Sequence, residues 1–423
     1  MNNYSKNSRA LITLVILSMQ ITFAGNNASV ENAFQVKSKK GAVYTGKYPN
    51  LFKELLGKSK TEISGKINAA FQHYFYGDNE TQRIYYPVEP DMAYIVDINN
   101  NDVRTEGMSY GMMIAVQMNK KNEFDRLWKW AKTFMQHQTE KRKGYFAWHC
   151  KTDGAKLDSN SASDGEEWFV TALFFASARW GNGKGIYHYK NEAQMILDAM
   201  LNKVESSDVR NDVTNIFNKK TKQVVFVPSG EADDFTDPSY HVPHFYELWA
   251  RWANKENKFW KDVTDTSRAY LKRAVHPVTG LAPDYSNFDG KPLKFRNGTQ
   301  NNFQYDAWRV AMNVALDYTW FAKDKWAVAQ SNRLLSFFYS KGVKKFGQVY
   351  TLEGEQLVHD HSAGIIAMNA VAALASTNEN RKEFVQELWD VELPTGKYRY
   401  YDGILYLIAM LQASGNFRVW HLK

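Results

Sequence analysis

The 423-residue sequence contains one cysteine, Cys150, so no internal disulfide can form and stability must come from packing. It has no Cys/His cluster, basic run or recognition-helix pattern, which argues against a nucleic-acid partner. None of its histidine spacings resembles a metal site, and neither a metal nor another cofactor is expected. Period-two alternation is scarce: only Gln223 to Val227 and Phe346 to Leu352 read as short extended pieces in connections. No linker breaks the chain, and the Gly/Pro-containing stretch from Gly280 to Gly298 reads as a loop between helices. The apolar run from Ala10 to Leu17 is too short for a membrane span.

That run has another use. With Lys6 and Arg9 before it and Thr22-Phe23-Ala24 after it, it has the order of an export signal. Residues 1–24 are expected to be a signal peptide and residues 25–423 a single domain. No cysteine lies near the cleavage point to carry a lipid anchor. A bacterial periplasmic or secreted protein is expected, monomeric and without a membrane anchor. The formal charge of +8 includes Lys6 and Arg9 and is otherwise scattered, which reads as a solvated surface.

What is abundant is hydrophobic and aromatic: 44% and 15% of residues, with 13 Trp and 24 Tyr. This is enough for a large core. Planar side chains beyond the needs of a core often line sugar-binding clefts, where a pyranose C–H face packs on a ring; core packing is the competing account for most of them. Apolar residues recur at helical spacing in about twelve segments, near 60–76, 107–119, 123–137, 164–180, 190–204, 240–254, 257–274, 303–321, 323–340, 363–375, 380–389 and 401–413. An all-α fold follows, and paired helices in sixes suggest a closed ring of inner and outer helices with short strand pieces in loops.

The chemistry-bearing residues fall at or near the start of every second segment: Glu106, Asp164, Tyr240, Asp306, the pair His359/His361 and Tyr401. In an up-down ring, alternate helix N-termini share one end, so these side chains should converge on one face. Glu106 stands alone between Arg104 and Gly107 where a loop turns into an apolar helix. Burial among Met and Tyr would raise its pKa toward that of a general acid, while a helix-dipole role is the plainer alternative. Asp164 opens a helix in Ser163-Asp164-Gly165-Glu166-Glu167. Ordinary capping competes there with a substrate role that Gly165 would favour by letting a ligand approach the backbone. Arg309 can pair with Asp306 at i,i+3 and hold it ionised as a base, or form a simple ion pair. Tyr240 offers a phenol able to hold a water, or a buried core tyrosine.

Four motifs in order carry a resemblance: Arg104-Thr105-Glu106-Gly107-Met108-Ser109-Tyr110-Gly111-Met112-Met113, Asp164-Gly165-Glu166-Glu167, Asp237-Pro238-Ser239-Tyr240-His241 and Tyr305-Asp306-Ala307-Trp308-Arg309. Gly144-Tyr145-Phe146-Ala147-Trp148 and Arg399-Tyr400-Tyr401-Asp402 extend it over nearly the whole chain after the leader. The sequence resembles glycoside hydrolase family 8 in its xylan-active branch, which includes the reducing-end xylose-releasing exo-oligoxylanases. The resemblance implies an (α/α)6 barrel and inverting hydrolysis of β-1,4-xylosidic bonds in xylan or xylo-oligosaccharides. It implies Glu106 as general acid, Asp306 as general base, Asp164 as the carboxylate at the cleaved sugar and Tyr240 as the holder of water. Trp148, Tyr305, Arg309 and Tyr401 match substrate-contacting positions. An inverting pair should stand about 6.5–9.5 Å apart to admit water.

The exo-acting members wall off the cleft with a Leu-His-Pro kink preceded by a sugar-binding His. Here the loop reads His359-Asp360-His361-Ser362, polar and without the proline. An endo-acting β-1,4-xylanase is therefore expected, with reducing-end exo-oligoxylanase as the alternative and His359 either a sugar ligand or a loop hydrogen-bonder. Chitosan and cellulose specificities also occur in the family, and the motifs resemble the xylan branch better. A non-catalytic carbohydrate-binding protein is the rival of another class, but it would not need both Glu106 and Asp306.

Overall fold

Ser59 starts the first long helix with a capping box: its hydroxyl accepts from the Glu62 N–H while the Glu62 carboxylate accepts from the Ser59 N–H. Ile63, Ile67, Ala70, Phe71 and Tyr74 follow at helical spacing and are buried. The same logic repeats along the chain in the computed structural model, which describes residues 40–203, 213–230 and 232–422. The expected signal peptide, and residues 25–39 of the expected catalytic domain, lie outside the described residues.

The α-helices are α1 (Ala42–Thr45), α2 (Leu51–Leu56), α3 (Lys60–Tyr76), α4 (Thr105–Gln117), α5 (Lys121–Trp130), α6 (Ser163–Trp180) and α7 (Tyr189–Leu201). They continue with α8 (Pro243–Trp252), α9 (Asn257–Ala274), α10 (Arg309–Phe321), α11 (Trp326–Lys341), α12 (Ala363–Ala372), α13 (Arg381–Asp390) and α14 (Tyr401–Ala413). The even-numbered helices from α4 to α14 form the inner ring. α4 packs on α6, α8 on α10, α10 on α12, α12 on α14, and α14 back on α4. Tyr246 and Trp249 close the remaining gap by hydrogen bonds from α8 to Glu167 and Thr171 of α6. The odd-numbered helices from α3 to α13 each lie outside an inner neighbour, giving an (α/α)6 barrel.

Each of the twelve expected segments contains a helix. α1 and α2 were not expected, because four and six residues are too few to show a period. Two expected starts differ in kind. The segment expected from 240 becomes a 3₁₀ turn, Pro238–Tyr240, before α8, whose first residue Pro243 supplies a fixed φ and no N–H. The segment expected from 303 begins as a 3₁₀ turn, Tyr305–Trp308, before α10.

Five small antiparallel sheets decorate the loops among the described residues. The one that matters for the site joins Val103–Arg104, His149–Cys150 and Lys156–Asp158, with Arg104 opposite His149. The main core is aromatic, with Trp128, Trp130, Trp168, Trp249, Trp260, Trp308 and Trp320 fully buried, and a smaller cluster around Tyr270 and Leu271 lies apart from it. Most of the tryptophan excess therefore serves packing. No helix among the described residues is long and apolar enough to cross a membrane.

One buried ion network ties α8, α9 and α10. Arg268 grips both oxygens of Asp317 at 2.7 and 2.8 Å and reaches Glu247 at 3.1 Å, and Lys323 adds a bond to Glu247 at 2.7 Å. Burial alone would raise the Glu247 pKa, but hydrogen bonds from Lys323 and Arg251 and the charge of Arg268 bring it down to about 2. Its stabilisation is thus present above the unfolded-state carboxyl range and lost as pH falls toward 2. Arg268→Met should cost about 3–5 kcal/mol in urea unfolding at neutral pH by leaving Asp317 buried without its cation. A loss below 1 kcal/mol would show that the network is not what holds these helices.

Candidate active site

Arg309, the first residue of α10, is only 1% exposed, and its guanidinium gathers three carboxyls from three elements. Its Nη1 donates to Glu106 Oε2 and to Asp164 Oδ2, each at 3.1 Å, and to the Tyr110 hydroxyl at 2.7 Å. Its Nη2 lies 3.1 Å from Asp306 Oδ2 and donates to Ser239 Oγ at 3.0 Å. The expected i,i+3 pair is real, and it extends to two further acids. Glu106 and Asp306 thus sit at different nitrogens of one rigid fork, which keeps them apart.

Local structure explains each placement. Glu106 lies in the first turn of α4, with Gly107 after it. A Cβ at Gly107 would lie 2.9 Å from the Tyr400 hydroxyl, and Tyr400 uses the vacant space to donate to Glu106 Oε1 at 3.0 Å. Gly165 was expected to let a substrate approach. Instead it admits Thr105, whose Cβ and Oγ1 would lie 2.5 Å from an added Cβ, so this glycine serves the α4–α6 contact. Tyr305 holds φ at 38°, a left-handed conformation unusual for an aromatic residue. That costs about 1–3 kcal/mol. Its neighbour Asp306 receives the Tyr401 hydroxyl at 3.1 Å, and the same hydroxyl meets the Tyr305 carbonyl at 3.1 Å.

Burial is the largest influence on two of the acids. It raises Glu106 to about 7, with Arg309 opposing and the charges of Asp306 and Asp164 adding. It raises Asp164 to about 6, again against Arg309. Glu106 therefore carries a proton close to neutrality and can give it up.

The carboxyls open on a cavity of about 480 Å³ lined by Glu106, Asp164, Tyr240, Tyr305, Asp306 and Tyr401, with Trp148 and Arg104 toward one side. Five of the expected helix-start residues do converge. Tyr240 is nearly buried, with its ring stacked on Phe226. Trp148 stacks on His149 at 3.7 Å and donates Nε1 to Asp158, so the small sheet fixes its plane.

Two expected substrate contacts are placed differently. Arg309 does not line the cavity but lies beneath it, because its charge is used up by the acids that do. His359 is exposed and outside the cavity, bonded to Gln356 at 3.0 Å, which is its loop-bonding alternative. His361 packs its Nδ1 against the Phe346 carbonyl. The sequence reading missed Tyr400, Ser239 and the acids Asp237 and Asp284. Tyr400 and Asp237 lay inside quoted motifs, but no periodicity marks Asp284 in its connection. Asp237, Asp284 and Asp306 are the group among the described residues close enough to share a cation.

An (α/α)6 barrel with three carboxyls gathered at the floor of an aromatic cavity fits a glycoside-cleaving enzyme. Residues 94–415 match the model of glycosyl hydrolases family 8. The chain is 48% identical to the reducing-end xylose-releasing exo-oligoxylanase Rex8A of Paenibacillus barcinonensis, over 90% of this chain and 99% of that protein. It is 43% identical to the reducing end xylose-releasing exo-oligoxylanase of Halalkalibacterium halodurans, over 91% and 97%. The structure matches Rex8A complexed with xylose at a TM-score of 0.85 and 47% identity, covering 90% of this chain and all of that one. It matches a xylohexaose complex of a catalytic mutant of the family 8 xylanase from Teredinibacter turnerae at 0.87 and 48%, with the same coverage. The chain belongs to glycoside hydrolase family 8.

Arg309→Met should raise the midpoint of Glu106 above about 7, because the larger of its two lowering charges is gone and only Arg104 remains. Carbon-13 NMR of labelled glutamate carboxyls, compared between wild type and variant, reads this directly. A lower or unmoved midpoint would mean that Arg309 does not control the site's charge.

Proposed function

We propose that the protein hydrolyses β-1,4-linked xylo-oligosaccharides with inversion, releasing xylose from the reducing end. The observation that carries the hydrolytic part is the gathering of Glu106, Asp164 and Asp306 by one buried arginine at the floor of an aromatic cavity. The substrate and the exo mode are supported by relatives at 48%, 43% and 36% identity, all named as reducing-end xylose-releasing enzymes.

In this reading Glu106, kept protonated by burial, gives its proton to the leaving glycosidic oxygen. Asp306, ion-paired to Arg309 and steadied by Tyr401, takes a proton from the water that attacks the anomeric carbon from the opposite face. Tyr240 orients that water, and Asp164 meets the sugar ring at the cleaved bond. Tyr305, half exposed, and Trp148 offer ring faces to neighbouring sugars.

A second reading, an endo-acting xylanase, has its own support. His359 and Asp360 are exposed, and Asp360 accepts a bond at 3.3 Å from Gln348, a residue that lines the cavity. A Teredinibacter xylanase is as similar in sequence as Rex8A. A product time course on reducing-end-labelled xylohexaose and on polymeric xylan separates the two. Labelled xylose released singly, with xylan viscosity unchanged, is the expected result; mixed oligomers with a rapid viscosity fall would replace it with the endo reading.

Glu106→Gln and Asp306→Asn should each lower kcat by several orders of magnitude with oligosaccharide binding retained. The rate should also fall as pH rises through about 7, where Glu106 loses the proton it must donate. A rate flat across neutrality would remove Glu106 from the acid role. Proton NMR of fresh product should show the α-anomer first, and β-anomer at the outset would contradict inversion.

A further inference from the structure

Two carboxyls behind Asp306 have no part in the mechanism above. Asp237 caps the Pro238–Tyr240 turn, its Oδ1 accepting the Ser239 N–H at 2.6 Å. Asp284 lies in the connection after α9, its Oδ2 accepting from Gln304 Nε2 at 2.9 Å. Their other oxygens, Asp237 Oδ2 and Asp284 Oδ1, are buried and without a hydrogen-bond partner. One oxygen from each of Asp237, Asp284 and Asp306 lies within 4.8 Å of the other two. Asp237 is fully buried and Asp284 is 7% exposed.

Three carboxylates this close, two of them buried, are not all ionised without cations to match them. Arg309 is the cation that meets Asp306, and its charge is already shared with Glu106 and Asp164. An ionised carboxylate has only acceptors, so Asp237 Oδ2 would hold charge with nothing donating to it, and Asp284 would have only the neutral amides of Gln304 and the Ala307 backbone as donors. A proton on either carboxyl removes its charge and adds a hydrogen-bond donor to the cluster.

We propose that Asp237 and Asp284 act as neutral carboxylic acids that position Asp306, leaving it the one ionised member of the three and directed toward the cavity to take water's proton. The proposal rests on Asp306 being the base. In the attack step the proton passes from water to Asp306 and later to solvent, while Asp237 and Asp284 keep theirs. The surroundings agree. Burial, then the charge of Asp306, raises Asp284 to about 8, and the same two influences hold Asp237 well above the usual carboxylate range. The other groups facing the cluster are Arg309, Asp164, and the phenols Tyr240, Tyr285 and Tyr401, all held protonated by burial. Behind Asp237, Tyr270 bonds Ser286, and His241 is kept neutral by burial, its pKa lowered to about 3, between Thr236 and Ser267. None of these adds a second positive charge. A divalent cation could neutralise the acids instead, but it would have to ligate the base itself, where Arg309 already sits at 3.1 Å.

The test is carried out on the full-length enzyme with xylo-oligosaccharide. Asp284→Ala should lower kcat at least about tenfold with KM little changed and move the acid limb of kcat/KM to higher pH. Asp284→Asn, a neutral isostere with a donor, should restore most of the lost kcat and return the limb. Wild-type kcat in the alanine variant would overturn the positioning role. An asparagine variant whose acid limb moves to lower pH than wild type would also overturn the proposal, because it would show that a negative charge had been removed. Infrared difference spectra of the wild-type enzyme at pH 6 need no variant to be active. They should contain a protonated-carboxyl band that Asp284→Asn and Asp237→Asn each diminish, and its absence would overturn the neutral state. Loss of activity in EDTA, regained with calcium, would put a cation in place of the protons. Asp306→Asn run in parallel keeps the two ideas distinct: activity there would remove the base assignment, while the infrared band would still report on Asp237 and Asp284.

Discussion

One buried guanidinium organises the catalytic end of this barrel. Moving Arg309 out of water is costly, and the cost is offset by the acceptors gathered on its two terminal nitrogens: three carboxyls, a phenol and a serine hydroxyl. The same contacts set the behaviour of the acids. Glu106 and Asp164, buried beside the same guanidinium nitrogen, remain protonatable near neutral pH; Asp306 meets the other nitrogen, which also serves Ser239, and receives a phenol donor. A single charge divided unequally is enough to make neighbouring carboxyls do different work.

The barrel exists, in functional terms, to bring those groups to that arginine. Inner helices that begin at one end deliver Glu106 and Asp164 in first turns. Tyr240 and Asp306 instead stand on 3₁₀ turns ahead of their helices, where the chain is wound more tightly. The strained backbone at Tyr305 belongs to this second group. Glycines at 107 and 165 remove side chains where Tyr400 and Thr105 must pass.

Much of this was legible along the chain. Helical periodicity marked each barrel helix, since each buries one stripe or more of its surface. Acids at alternate helix starts pointed to a common face, and the spacing of Asp306 and Arg309 announced their pairing. The reach of Arg309 to residues more than 140 positions away was not announced, nor was its burial, so its place under the cavity differs from the substrate contact expected. Gly165 was assigned to the wrong neighbour for a related reason: a glycine advertises close approach but not of what. Asp284 carried no local signal because it sits in an irregular connection, and its meaning depends entirely on Asp237 and Asp306 beside it. His359 kept its residue type but not a place on the cavity.

By itself, then, the amino-acid order determined the helices, their closed pairing and the identity of the acid and base candidates, because those depend on period and on motif. Tertiary structure alone decided which carboxyls share a cation, which are starved of one, and where the arginine's charge is spent. Electrostatic roles depend on distances and burial across elements, and those distances come into being only when the ring closes.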